Sequence, residues 1–277
     1  TMKILDIDRP EPDPSSDHEK ERTGTFTSGI VSSVDGHQIA LFFTGYKYAG
    51  ENLADLLKMR AEELGPPIQM CDALSTNIPG EFETILANCM VHSRRKFVEV
   101  VESFPEQVKH VLDKLKQVYK NDNIARKQQM SPDERLLFHQ EHSGPLMEEL
   151  EKWLEEQIVE KKVEPNSSLG GAIKYMRKHW KKLTLFLRVA GAPLDNNICE
   201  RILKKAILHR KSSMFYKTEN GALIGDIHMS LIHTCELNDA DPFDYLVELQ
   251  RHEEEVALSP ADWMPWNYRE TLSRLPH

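Results

Sequence analysis

From Phe97 to about Val189 nearly every apolar residue recurs at helical spacing, whereas the residues before Phe97 break into short β-type runs. In the helical stretch Val108, Val111, Leu112, Leu115 and Val118 share one face, and Leu146, Leu150, Trp153, Leu154 and Ile158 share another. Pro132, Pro145 and Pro165 punctuate it. The layout is therefore strands and helices first, a long helical segment next, and further helices after it.

The opening part carries the strands. Thr1–Leu5 reads as a strand end, and the Pro-, Asp- and Glu-rich stretch Asp6–Arg22 as an exposed loop. Thr23–Ser33 and His37–Thr44 flank Val34-Asp35-Gly36, which predicts a hairpin. Asn52–Leu64 is helical and stops at Gly65-Pro66-Pro67. Ile68–Cys71 is a short strand ending at Asp72, and Ile85–Val91 is another that leads into His92-Ser93-Arg94-Arg95-Lys96-Phe97. After the helical segment, Ser167–Gly171 opens a basic helix over Ala172–Val189, carrying Lys174, Arg177, Lys178, Lys181 and Lys182. Helices then start near Asn196, at Gly221 and at Asp241-Pro242, before an irregular tail containing Trp263 and Trp266. Trp153, Trp180, Phe186 and Phe215 read as core residues rather than as platforms for stacked bases.

The 277 residues suffice for one large domain or two ordinary ones. No apolar run approaches the ~18 residues of a membrane span, and no signal-peptide pattern is present. Cys71, Cys89, Cys199 and Cys235 form no CxxC pair, so reduced thiols in a cytoplasm are expected. The net charge of −9 argues at first against nucleic acid, but Ile173–Lys217 holds twelve Lys or Arg against only Asp195 and Glu200. A polyanion responds to that local basic face rather than to the total; the alternative is a solvated helix surface.

Within the basic region, Pro193-Leu194-Asp195-Asn196-Asn197-Ile198-Cys199-Glu200-Arg201 reads as a helix start with Asp195 as N-cap and Ile198, Ile202 and Ala206 on one face. Glu200 falls toward the polar side beside Arg201, Lys204 and Lys205. It is either an exposed partner of Lys204 or a metal ligand facing phosphates. Phosphodiester cleavage needs two divalent ions ~4 Å apart. Mg²⁺ takes hard oxygen ligands, best presented from strand ends and helix faces. Asp72 after a strand and Glu200 on a helix meet that demand. Cys89-x-x-His92 is at most half a zinc site, since no second Cys/His pair follows at a suitable spacing. The other reading has Cys89 buried on a strand.

NCMVHSRRKF (88–97), SSLGGAIKY (167–175), PLDNNICERILKKAILHRK (193–211) and LIHTCELNDADPFDYL (231–246), in this order, resemble the insertion-sequence-66 family of transposases. The resemblance implies a DDE-type transposase core: an α/β, ribonuclease-H-like mixed sheet, its first strand truncated here, with a long all-helical insertion and a helical C-terminal region. The parts implied are 1–97 for the beginning of the core, 98–190 for the insertion, 191–235 for the core helices with the last acidic residue, and 236–277 for a C-terminal helix and tail. Asp72 falls at the family's second aspartate and Glu200 at its glutamate, as the catalytic, metal-ligating pair for Mg²⁺ or Mn²⁺. The first aspartate lies in an Asp-x-Thr motif whose threonine corresponds to Thr1, so the chain is expected to be a fragment lacking it. Asp6 and Asp8 come after the matching strand and do not replace it. His92 is expected near the catalytic centre and against DNA. Arg94, Arg95, Lys96, Arg201, Arg210 and Lys211 are expected to contact DNA backbone.

The implied partners are DNA, as element ends and target, further copies of the chain on that DNA, and accessory proteins of the same element. No membrane is involved, and the setting is the cytoplasm, at the bacterial nucleoid. A non-catalytic DNA-binding remnant of a transposase is the alternative. A helical interaction scaffold would fit residues 98–190 but leaves the strand-borne motifs unexplained.

Overall fold

The computed structural model describes residues 3–4, 25–34, 36–61, 63–213 and 215–275. The expected loop 6–22, the Asp-x-Thr position at Thr1, Asp6, Asp8 and the turn residue Asp35 lie outside them. In chain order the strands are β1 (Lys3–Ile4), β2 (Phe26–Val34), β3 (His37–Gly45), β4 (Ile68–Cys71), β5 (Ile85–Asn88) and β6 (Phe215–Tyr216). The helices are α1 (Ala49–Lys58), α2 (Met90–Val98), α3 (Pro105–Lys127), α4 (Pro132–His142), α5 (Gly144–Val159), α6 (Ser168–Leu183), α7 (Asn197–Ser213), α8 (Glu219–Leu237), α9 (Pro242–Arg251), α10 (Glu253–Leu258) and α11 (Tyr268–Arg274). The protein is mixed α/β and rich in helix. Among the described residues the strands pair two by two: β2 with β3 antiparallel, β4 with β5 parallel, and β1 with β6 parallel. Two compact units result, one of Thr1–Met59, Ile78–Gly80 and Asn197–His277, the other of Arg60–Asn77 and Glu81–Asn196.

In the first unit the β2–β3 hairpin carries α7 and α8. Helix α7 lies so close to β2 that a Cβ at Gly29 would stand 2.8 Å from Leu203 Cδ2, so a larger residue there would require the Leu203 side chain to shift. Ile202 and Ala206 pack with Ala40 and Phe42. Helix α8 closes the free side of β3 through side chains spaced four apart. Phe42 N–H donates to Ser230 Oγ (3.0 Å) and Ala40 N–H to Thr234 Oγ1 (3.1 Å). Gln38 exchanges two bonds with the Asn238 amide, and Thr44 donates to the Asp226 carboxylate. Four residues of helix rise about 6 Å and two residues of strand about 6.8 Å, so one row of helix side chains keeps step with every second strand residue. An edge that would otherwise template aggregation is thereby satisfied. Tyr245, Trp263 and Tyr268 form a smaller core with Cys235.

In the second unit the stripes on α3 and α5 bury Val108, Val111, Leu115, Val118, Leu150 and Leu154 in one core with Ile173 and Met176 of α6. Phe186 is in that core and Trp153 and Trp180 pack against it, as the sequence implies; the Phe215 side chain lies outside the description. A polar network crosses α3 and α4. Asp122 accepts from Arg135 (2.7 and 3.1 Å), Arg126 (2.9 Å) and His139 Nε2 (3.4 Å), and His139 Nδ1 meets Ser143 Oγ at 3.0 Å. Burial opposes ionisation of Asp122. The bonds to His139, Arg135 and Arg126 outweigh it and hold the carboxyl well below its usual range.

Several boundaries differ from the sequence reading. Helix α1 ends at Lys58, not Leu64; Leu64 is exposed, and Arg60 caps the carbonyls of Leu64 and Gly65 instead. The strand expected over Ile85–Val91 ends at Asn88, and Cys89 is the N-cap of α2 rather than a strand residue. The basic helix stops at Leu183, where Thr184 folds its hydroxyl back onto Trp180 O. Helix α7 starts at Asn197, which makes Asn196 and not Asp195 its flanking residue. The C-terminal tail is not irregular: α10, a 3₁₀ turn and α11 bury Trp263 and Tyr268.

Replacing Thr234 with Val leaves the Ala40 N–H buried without a partner. We expect a loss of roughly 1–3 kcal/mol in urea unfolding with an unchanged m value. Asp122→Asn is expected to cost about 3 kcal/mol at neutral pH. Because the folded carboxyl titrates below the unfolded one, that contribution is complete above the ordinary carboxylate range, ~4, and fades as pH falls below it. Wild type and variant should therefore converge in stability toward acid, read as melting temperature against pH.

Candidate functional site

The second unit presents a polar edge where two parallel strands end together. β4 and β5 run in register, Cys71 opposite Asn88, and Cys89 N–H donates to Cys71 O (2.9 Å). Asp72 leaves β4 at that level, and Cys89 leaves β5 to start α2. The carboxyl ends of adjacent parallel strands are where open α/β folds place ligands. Asn77, in a short 3₁₀ turn, donates its amide to Asp72 Oδ1. Its own carbonyl accepts from Gln69 Nε2 (2.6 Å), and Gln69 Oε1 accepts from Thr84 (2.8 Å). One oxygen of Asp72 is thus oriented through a chain anchored on β4, and among the described residues the other bonds to no protein group.

Helix α6 lies across the same edge. Asn88 Nδ2 meets His179 Nδ1 at 3.1 Å, and the Tyr175 and His179 rings are 4.8 Å apart. Burial first, then the charge of Asp72, raises the Tyr175 phenol. Burial, with Lys178 and Lys182 adding to it, lowers His179. On α2, His92 is half-buried in the first turn, while Arg94, Arg95 and Lys96 are exposed; Lys96 stands 3.8 Å from Glu99, an exposed pair of little energetic weight.

The loop that leads from this unit toward α7 is fastened to the same edge. Arg135 Nη1 donates to Ala192 O (3.2 Å), Met90 N–H to Leu194 O (3.1 Å) and Asn196 N–H to Cys89 Sγ (3.4 Å). Burial, then the charge of Asp195, pushes the Tyr119 phenol up. Burial also raises Cys89, partly offset by the amides of Asn196, His92 and Val91, so the sulfur is a protonated thiol and acceptor. Zinc needs a thiolate, which this setting disfavours.

In the first unit Glu200 is half-buried in the first turn of α7. Its neighbour Cys199 is buried and donates its thiol to Gly29 O (3.1 Å). Arg201 and Lys211 are exposed. Arg210 lies on α7, with its side chain outside the description. The sequence-level candidates Asp72, His92, Arg94, Arg95 and Lys96 therefore share one unit, and Glu200, Arg201, Arg210 and Lys211 the other. Sequence reasoning missed Asn77, Asn88, Tyr175 and His179. The signal for the last two was available: Tyr175, Lys178, His179 and Lys182 recur at i, i+3, i+4, i+7 opposite the apolar stripe.

A family model described as Transposase IS66 family matches residues 19–223. Two proteins of Sinorhizobium fredii (strain NBRC 101917 / NGR234) are similar to the chain. Uncharacterized protein y4jD is 32% identical over 189 residues, covering 66% of this chain and 36% of the relative. Uncharacterized protein y4hP is 29% identical over 199 residues, covering 66% and 35%. The chain spans about a third of the length of the curated relatives it matches. No solved structure matches it. Among the described residues no helix is long and apolar enough to cross a membrane.

All four cysteines are buried, and burial pushes Cys71, Cys199 and Cys235 up to about 11. At pH 8 such a thiol has on the order of 100-fold less thiolate than a free cysteine of pKa ~8.5. Native protein should therefore react very slowly with a disulfide reagent such as DTNB, and all four thiols should titrate quickly in denaturant. One fast thiol in the native protein would show a site more open than the one described.

Proposed function

Because the chain belongs to the IS66 family of transposases, we propose that it is catalytic-core sequence of a DDE-type transposase, which cleaves element-end DNA and joins it to a target. In this reading β4, β5 and α7 belong to a ribonuclease-H-like core, residues 98–190 are its helical insertion, and Asp72 and Glu200 supply two of three carboxylates. The third belongs to the family's Asp-x-Thr motif, which lies outside the described residues. The protein would act at the nucleoid as several copies on DNA, with any accessory proteins of its element.

What supports this reading is the Asp72 edge: the carboxylate leaves a strand end in register with Asn88, and the Asn77 amide orients one of its oxygens.

The donor set fits Mg²⁺ or Mn²⁺: hard carboxylate oxygens, one of them on Asp72 with no protein partner among the described residues and its neighbour oriented by an amide. When bound, such ions activate the attacking oxygen and stabilise the leaving one. The protein's part is positional. Asn77 fixes the angle of Asp72, and α7 holds Glu200 on a rigid helix. His92, Arg94, Arg95, Lys96, Arg201, Arg210 and Lys211 would bind phosphates and align the strand.

Protein extended to include the Asp-x-Thr motif should nick a duplex of its own element end in Mg²⁺ or Mn²⁺. Glu200→Gln and Asp72→Asn should each reduce nicking at least ~100-fold while leaving the circular dichroism and melting profile unchanged. Undiminished nicking by either variant would remove that residue from the centre. Salt-sensitive binding without nicking by the wild type would favour the non-catalytic remnant.

A further inference from the structure

We propose that the stripe Tyr175–Lys178–His179–Lys182 of α6 is a DNA-phosphate contact surface at the Asp72 edge, with His179 Nε2–H donating to a backbone phosphate and Lys178 and Lys182 flanking it. The proposal rests on the transposase reading for its substrate class, but its geometry is independent of Glu200.

Three observations carry it. The stripe is polar at i, i+3, i+4 and i+7, while Leu169, Ala172, Ile173, Met176 and Leu183 bury the opposite side of α6 in the core. Lys178 and Lys182 of the stripe are exposed, while Tyr175 and His179 are half-buried against the strand end. Second, Asn88 is the last residue of β5, in register with Cys71, so its 3.1 Å contact with His179 sets the imidazole beside the strand end from which Asp72 departs. The amide nitrogen is a donor only, so Nδ1 is the acceptor and the proton sits on Nε2. A neutral imidazole so held is a fixed, singly oriented donor, and burial, with Lys178 and Lys182 beside it, favours that neutral form. Third, Lys178 and Lys182 are exposed one turn apart beside the imidazole, and among the described residues neither is in an ion pair. Lys174 and Lys181 are likewise exposed and unpaired, but farther around the helix from the imidazole, and Arg177 is paired with Glu155 at 3.2 Å. Lys182 also reaches the strand end, where its charge acts on Cys71.

A structural role for His179 would be to hold α6 on β5, and Tyr175 would be its ring neighbour. That role explains the bond to Asn88. It leaves unexplained why two unpaired lysines flank the imidazole on the side away from the core. A polyanion whose charges recur along a backbone accounts for both, because phosphates can be taken by a directional donor and by point charges together.

The test uses the extended protein and a duplex of its own element end, with single methylphosphonates placed in turn at each phosphate around the nick site. In wild type, one neutralised phosphate should slow nicking sharply. In His179→Ala nicking should fall about 10- to 100-fold, and the methylphosphonate penalty at that phosphate should vanish. His179→Gln, which keeps a donor near Nε2, should restore part of the rate. A merely structural histidine would leave the methylphosphonate pattern unchanged. In parallel, binding of unmodified duplex in Ca²⁺ against salt should show the slope falling by about one for each of Lys178→Gln and Lys182→Gln. These exposed variants keep the proposal testable if His179→Ala does not fold. A wild-type methylphosphonate pattern in folded His179→Ala, or an unchanged salt slope in both lysine variants, overturns the proposal. Wild-type protein that never nicks overturns the catalytic reading instead, and the salt slopes still decide whether α6 touches DNA.

Discussion

Ala192–Asn196 has no regular structure of its own, yet Ala192 and Leu194 are buried. Backbone groups in such a place must find partners or the segment cannot stay there. They find them in three different elements: the Arg135 guanidinium on α4, the Met90 amide at the start of α2, and the Cys89 sulfur at its cap. Each partner is itself fixed. Arg135 is held by Asp122, whose carboxylate is bound on three sides, and Cys89 is tied through its own amide to Cys71. The loop is therefore held at the same edge from which Asp72 departs. The helical segment between them is then more than a spacer: α3 and α4 supply the ion network that grips the loop.

The first unit solves a related accounting problem differently. A two-stranded hairpin is marginal alone, and β3 would offer a row of unpaired amides and carbonyls. Asp226, Ser230, Thr234 and Asn238 answer it at helical spacing, so α8 stands where a third strand could. The cost is that buried Asp226 is raised by desolvation despite its bonds to Thr44. The gain is a rigid hairpin, on whose other strand α7 rests at Gly29. Glu200 is consequently carried by a helix seated on a braced surface.

The long stripes of α3 and α5, the hairpin and the strand before Asp72 were legible because hydrophobic period and turn chemistry decide them locally. The boundary at Cys89 was not. The run Ile85–Val91 is apolar except for Asn88, and only the backbone bond to Cys71 tells which residue ends the ladder. The tail was misread because Trp263 and Tyr268 look like isolated aromatics until α8 and α9 supply the surface that buries them. The polar row of α8 was invisible for a similar reason: Ser230 and Thr234 sit among apolar residues, and their use depends on a strand nearly two hundred positions earlier. Of the candidate site, the acidic positions and the basic stretch could be named from motifs and charge. The amides that orient them, Asn77 and Asn88, carry no signal of their own.

Helix α6 shows why charge alone underdetermines function here. Its cations divide by neighbourhood: Arg177 reaches Glu155 on α5, while Lys178 and Lys182 do not pair among the described residues. The two groups differ by one residue in sequence and by about 100° around the axis, enough to turn one toward an acidic helix and the other toward the strand ends. Lys174 and Lys181 are likewise exposed and unpaired among the described residues, so pairing alone marks no face; what sets Lys178 and Lys182 apart is the amide-held imidazole beside them. Asp72 adds the opposite charge at the same edge, and a phosphate approaching it would be repelled. The lysines on one side and a divalent cation on the carboxylate would together remove that repulsion, so the basic stripe and the acidic centre make sense only as parts of one anion-binding edge.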